Sequence, residues 1–264
     1  MAAHPLQESL DNLPEYLTDA SRLLGIVEER NAELAARRRG AGNRTGAGQP
    51  PAAHKSLNRA VVVASVGALE AFCEDLAIRA RGHAPGALVG RPWYAIEGSR
   101  GIVQTPSSNN IAKLFWTYFH YDPRPDWELQ VTCGWQELSG TGTNWRGTTT
   151  VYRGTAAAEA LDAVVKVRHG FAHQDRANAP AKTPGLVDLT PTGKLSLQSH
   201  HAANSIRLVV QTAIQTVHGL SRHVPALNGR LRWKKSMTEA GWDQLLSATP
   251  VINDIRTNWT KHPF

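Results

Sequence analysis

The sequence predicts an all-α bundle, on three observations. Apolar residues recur at three- and four-residue intervals in several separate stretches, and almost no stretch reads as a strand. Hydrophobic residues make up 41% of the 264 positions against 19% charged, a balance that can bury a sizeable core. Glycine- and proline-rich segments separate the periodic stretches, as expected for helices joined by loops.

Residues 14–38 read as the first helix. Pro14 suits a first helical position, where its missing N–H is not needed. Leu17, Ala20, Leu24, Val27, Asn31 and Leu34 then form a stripe over nearly three heptads, with Asn31 at an a-type position. Two readings fit: a helix packed on the bundle, or a coiled-coil seam between two copies. Residues 1–38 are assigned to this N-terminal helical segment. Residues 39–54 hold no large apolar side chain and read as a flexible basic linker. Arg37, Arg38 and Arg39 at its start can touch phosphates or simply be solvated.

Residues 56–80 give the strongest helix, with Ser56 as N-cap and Leu57, Val61, Ala64, Ala68, Phe72 and Leu76 along one face. Val62, Val63 and Leu69 widen that face, and Glu70 stands inside it. Between 82 and 153 the chain is rich in Gly, Pro, Ser, Thr and Trp. A short helix is expected at Asn109–Tyr121, on Ile111, Leu114, Phe115 and Tyr118. Residues 126–152, with Trp127, Trp135 and Trp145, read as an aromatic-rich loop insert packed on the bundle.

Residues 156–173 return to helix, with Leu161, Val164, Val165 and Arg168 on one face. In the loop over 175–198, LVDL and KLSL flank Thr190-Pro191-Thr192-Gly193 as a small hairpin. Residues 200–221 form another helix, and Pro225 ends it. Segments 236–247 and 251–259 predict a short C-terminal helical extension within 223–264.

Composition excludes several function classes. Cys73 and Cys133 are the only cysteines, which rules out a disulfide scaffold and a cysteine-based zinc finger. The N-terminal residues have no apolar run, and the most apolar stretch, Ala60–Leu69, is far short of the ~20 residues a membrane span needs. A soluble, cytoplasmic protein with no membrane partner is expected. The net charge of +7 is compatible with a polyanion but does not choose one. No phosphate-binding glycine loop and no serine-nucleophile elbow is present.

The chemistry concentrates in Arg168-His169-Gly170-Phe171-Ala172-His173. Arg168 interrupts an apolar face, and a buried guanidinium needs an anion because it cannot shed its charge. Glu70 is the natural partner. The pair reads either as a lock between helices or as an arginine held ready for a phosphate. His173 follows five residues later, about 140° around the helix. A histidine that exchanges protons near neutrality, beside an arginine, is the minimal kit for cleaving RNA through its own 2′-OH. His169 and His173 have the spacing of a metal-ligand pair, but no third ligand accompanies them, so no metal and no cofactor is expected.

The run Val164–His173 resembles the R-x4-H signature of HEPN domains. Leu57-Asn58-Arg59-Ala60 and Ala68-Leu69-Glu70-Ala71-Phe72 resemble the family's first core helix. The aromatic insert between the two helices is similar to that of the ribosomal-L-PSP-associated HEPN subgroup. The resemblance covers residues 55–222. It implies a HEPN-like helical bundle that forms a homodimer with two motifs in a shared cleft. It further implies a metal-independent endoribonuclease, in a toxin–antitoxin or phage-defence setting, with RNA as substrate and an antitoxin or operon-encoded protein as partner. Carried over by position, Arg168 and His173 are catalytic, while His169 and Glu70 support them. Arg37, Arg38, Arg39, Lys55 and Arg59 are weaker candidates for RNA contact. Gly170 departs from a strong helix former and is expected to mark a helix end or a close backbone approach. The alternative reading is a non-catalytic HEPN module that binds RNA, a nucleotide or a partner protein.

Overall fold

The structure is a computed structural model that describes residues 4–40, 52–83, 97–98, 101–102, 105–137, 145–173 and 180–231. Six helices carry it: α1 (Gln7–Tyr16), α2 (Thr18–Gly40), α3 (Ala52–Ala80), α4 (Ser108–Phe119), α5 (Thr155–His173) and α6 (Ser199–His223). Three two-stranded antiparallel ladders join them: β1 (Glu97–Gly98) with β2 (Gly101–Ile102), β3 (Glu128–Glu137) with β4 (Trp145–Arg153), and β5 (Asp188–Leu189) with β6 (Leu195–Ser196). Helix far outweighs strand, so the described part of the chain is mostly helical. α3 is the hub and packs against α1, α2, α5 and α6.

The N-terminal helix begins earlier than the sequence predicts. Leu6, Leu10, Leu13, Leu17, Ala20, Leu24 and Val27 are spaced by four and three, and every one is buried. This stripe faces the chain's own core, against α3 and α6, as in the bundle reading. Pro14 lies inside α1 and does not open it. Its missing N–H removes one helical bond, and the helix is interrupted at Leu17 before α2 resumes. Asn31 and Leu34 are only half-buried. Arg79 fastens α1 to α3, bonding Asp75 at 2.8 Å and Glu8 at 2.5 Å.

Ser56 is not an N-cap. α3 starts at Ala52, because two alanines extend the helix toward its N-terminus. Helix therefore enters both ends of the segment expected as a linker, and residues 41–51 lie outside the described residues. So do residues 232–264, with the expected helices at 236–247 and 251–259.

The largest correction concerns the aromatic insert. Residues 126–152 do not form a loop. Glu128–Glu137 and Trp145–Arg153 pair as a long hairpin, with a bulge between Cys133 and Trp135. Leu129 and Val131 alternate inward onto the core, and the run Thr148-Thr149-Thr150-Val151-Tyr152 is β-branched and aromatic, which suits a pleated surface. The root of the hairpin docks on α6 through two side-chain amides. Gln211 accepts from Gln130 N at 2.7 Å and donates to Gln130 O at 2.9 Å. Gln215 does the same at Glu128, at 2.5 and 2.7 Å. Four residues of helix rise about 6 Å and two residues of strand about 6.7 Å, so the two repeats match. Trp127, fully buried at the start of β3, donates its indole N–H to Thr216 Oγ1 at 3.0 Å.

Two glycines shape this region. Gly154, at φ 53°, takes the left-handed turn from β4 into α5. Gly219 on α6 lets the Tyr121 hydroxyl approach, where it donates to Asp126 Oδ2 at 2.6 Å, since a Cβ at 219 would collide with both groups. The small hairpin around Gly193 forms as the sequence predicts, with Thr190 N bonded to Lys194 O at 2.8 Å.

α6 opens on a reciprocal cap. The Gln198 side chain takes the His201 backbone N–H, and His201 Nδ1 accepts from Gln198 N at 3.0 Å. Burial, with the neighbouring His200 imidazole adding to it, pushes His201 down to about 3. Burial pushes His218 down to about 4 and the carboxyl of Glu28 up to about 7. Histidines depressed in the fold bind protons mainly in the unfolded chain, so their stabilisation is complete above their ordinary 6.5 and is lost as pH falls. Glu28 acts with the opposite sign between 4.5 and 7 and largely offsets His218, both being screened by solvent. Urea unfolding is expected to show stability falling from pH 6.5 to 5, by up to about 1.4 kcal/mol per pH unit from His201. His201→Gln, which keeps an acceptor, is expected to flatten the slope. An unchanged slope in that variant would assign the acid sensitivity to other groups.

Candidate functional site

The site is built where α5 crosses α3. α5 is helical from Thr155 because an alanine-rich opening meets Leu161, Val164, Val165 and Val167, all buried. Arg168 follows on the same face, at its half-exposed end. Its Nη1 donates to Glu70 Oε2 at 2.5 Å, and the two side chains retain 29% and 19% exposure. The structure thus brings together the two residues that interrupt the apolar faces of α5 and α3. A pair with this much access to solvent is neither sealed in the core nor fully screened.

His169 points elsewhere. Its Nε2 lies 3.2 Å from Thr105 Oγ1, in the segment leading into α4. Gly170 marks neither a helix end nor a close approach. α5 continues to His173, and nothing among the described residues lies within 4 Å of a Cβ added at 170. His173 is the last residue of α5, and its side chain lies outside the described residues.

The weaker candidates are spread apart. Arg37 is exposed on α2, and Arg59 is half-buried on α3, with about 16 Å of helix rise between it and Glu70. The side chains of Arg38, Arg39 and Lys55 lie outside the described residues. Among the described residues, no three His, Cys, Asp or Glu side chains gather as metal ligands, and no helix is long and apolar enough to cross a membrane.

Sequence reasoning missed the polar seam beside the motif. Asp162, two turns before Arg168 on α5, accepts from both the backbone N–H and the hydroxyl of Ser108 at 2.7 Å. It thereby sits at the positive end of the α4 dipole. Ser107 caps the same helix, accepting from Asn110 N at 3.2 Å, and Asn110 donates to Thr105 O at 2.8 Å. Arg124 reaches back to Asn109 Oδ1 at 2.8 Å and grips Asp122 through Nε and Nη2. Those bonds hold the Asp122 carboxyl below its ordinary range. The run Ser107-Ser108-Asn109-Asn110 carried a visible capping signal, but nothing in the spacing of Asp162 pointed to it.

The α3–α5 crossing thus presents a guanidinium steadied by a carboxylate, which can bind an anion, while His169 turns to Thr105 and His173 is placed only as the last residue of the same helix. No family model matches the chain, and neither a curated protein nor a solved structure matches it.

Proposed function

We propose that this chain is a metal-independent endoribonuclease of the HEPN type, acting as a homodimer whose two R-x4-H motifs share one cleft. The observation that supports it is the placement of Arg168, half-exposed at the α3–α5 crossing and steadied by Glu70, on the helix that ends at His173. In this reading His173 moves the proton of the RNA 2′-OH as that oxygen attacks the adjacent phosphorus. The P–O5′ bond breaks and the proton taken from the 2′-OH is returned to O5′, leaving a 2′,3′-cyclic phosphate and a 5′-hydroxyl. Arg168 offers a fork of N–H donors to the phosphoryl oxygens as charge builds on them. Glu70 orients that fork, and His169, bonded to Thr105, fixes the helix end. RNA is the substrate, and a toxin or phage-defence role with an antitoxin partner follows from the same resemblance.

Purified protein in EDTA is expected to cut single-stranded RNA to cyclic-phosphate or 3′-phosphate ends, and His173→Ala is expected to abolish cutting. Equal cutting by that variant would sink the proposal. The Arg168–Glu70 bond also favours a second reading, in which the pair only locks α5 to α3 and the HEPN module binds RNA, a nucleotide or a partner without cleaving. That reading expects salt-dependent RNA binding and no products after long incubation.

A further inference from the structure

α5 carries two polar anchors on the side that meets the start of α4. Asp162 and His169 are seven residues apart, close to two turns of helix, so they lie on one face with about 10.5 Å of rise between them. The segment entering α4 touches both. Ser108 gives its backbone N–H and its hydroxyl to Asp162, each at 2.7 Å. The Thr105 hydroxyl shares a hydrogen bond of 3.2 Å with His169 Nε2.

The turn between these contacts is itself fixed. The Thr105 carbonyl accepts from Ser107 N and from Asn110 Nδ2, both at 2.8 Å. Ser107 Oγ in turn accepts from Asn110 N at 3.2 Å. Pro106 between them is buried, and its ring restricts both its own backbone and that of Thr105. The Thr105 hydroxyl is therefore delivered to α5 from a backbone with little freedom.

Arg168 and His169 are consecutive, so they leave the helix about 100° apart. Arg168 goes to Glu70 on α3, and His169 goes to Thr105 ahead of α4. Two anchors at that angle fix the roll of the last turn of α5 about its own axis, where either alone would leave a pivot. His173 is the residue on which this turn ends.

We propose that Thr105 is a positioning residue for the R-x4-H motif. Its hydroxyl holds the His169 ring, and with it the last turn of α5, in the orientation that cleavage needs. The link to cleavage rests on the function proposed above, whereas the hold on His169 stands on its own geometry.

The test uses the full chain and two conservative changes. Thr105→Val keeps the branched shape and loses the hydroxyl, whereas Thr105→Ser keeps the hydroxyl. In Thr105→Val the NMR resonances of the His169 ring are expected to move, and single-turnover RNA cleavage is expected to slow about tenfold or more. Binding of a 2′-O-methyl RNA that cannot be cut is expected to stay within about twofold, since the hydroxyl touches the motif and not the RNA. Thr105→Ser is expected to restore both the ring signals and the rate. Cleavage by Thr105→Val at the wild-type rate, or unmoved His169 resonances, would overturn the proposal. So would equal slowing in Thr105→Ser, which would trace the effect to lost packing. A wild-type chain that never cuts RNA would instead remove the nuclease reading. The His169 resonances would then decide alone whether Thr105 holds the ring: movement in Thr105→Val upholds it and no movement overturns it.

Discussion

Arg168→Ala is expected to lower RNA cleavage at least about a hundredfold, the usual cost of removing one donor that stabilises transition-state charge. It is also expected to reduce stability by about 1–3 kcal/mol, because Glu70 keeps its burial and loses its counter-ion. The pair is partly open to solvent, so this cost falls below that of a sealed pair. The two effects separate in a double variant. Arg168→Ala with Glu70→Ala removes both charges and is expected to recover much of the stability and none of the cleavage. Arg168→Lys keeps the charge but not the fork, and is expected to fold well and cleave poorly. Urea unfolding and single-turnover cleavage read the two quantities side by side. If Arg168→Ala cleaves at the wild-type rate, the arginine serves packing alone and the R-x4-H mechanism falls; a wild-type chain that binds RNA and never cuts it would leave the binding-module reading.

Trp127→Ala is expected to cost about 3–5 kcal/mol, the largest stability effect of any substitution considered. The indole is 1% exposed, sits at the root of the long hairpin, and bonds Thr216, whose hydroxyl in turn donates to Thr212 O at 2.7 Å. Truncation therefore opens a cavity and leaves a polar pair short of one member. Trp127→Phe, which keeps most of the volume, is expected to cost roughly half as much. Thermal unfolding checks both, with the alanine variant melting about 6–20 °C lower. A loss below about 1 kcal/mol would mean that the hairpin contributes little to holding the bundle.

The helices were legible because their apolar residues follow the helical repeat without interruption. The stripe through Leu17, Ala20, Leu24 and Val27 is legible in the sequence, but its start is not. Pro14 looked like a beginning, while Leu6, Leu10 and Leu13 continue the same spacing behind it. The hairpin was hidden for a different reason. Among the described side chains of β3, Leu129 and Val131 alternate onto the core, too short a run to mark a strand in a stretch rich in Trp, Gly and Thr. Its docking also depends on Gln211 and Gln215, which sit on a helix over 80 residues later and carry no strand signal. At the site, Glu70 and Arg168 were legible because each breaks an apolar face. Asp162 and Thr105 were not, since Asp162 breaks no apolar face, Thr105 lies in the segment before α4, and the partner of each is fixed by how α4 lies on α5.

The glutamine pair on α6 has a consequence for how copies of this chain can meet. A strand whose outer N–H and C=O groups are unclaimed invites a strand from another molecule to extend the ladder. At Glu128 and Gln130 those groups are already taken by side chains of the same chain. The base of the hairpin is thus closed to strand addition, and a second copy docking there has to recognise side chains, with no backbone template to copy.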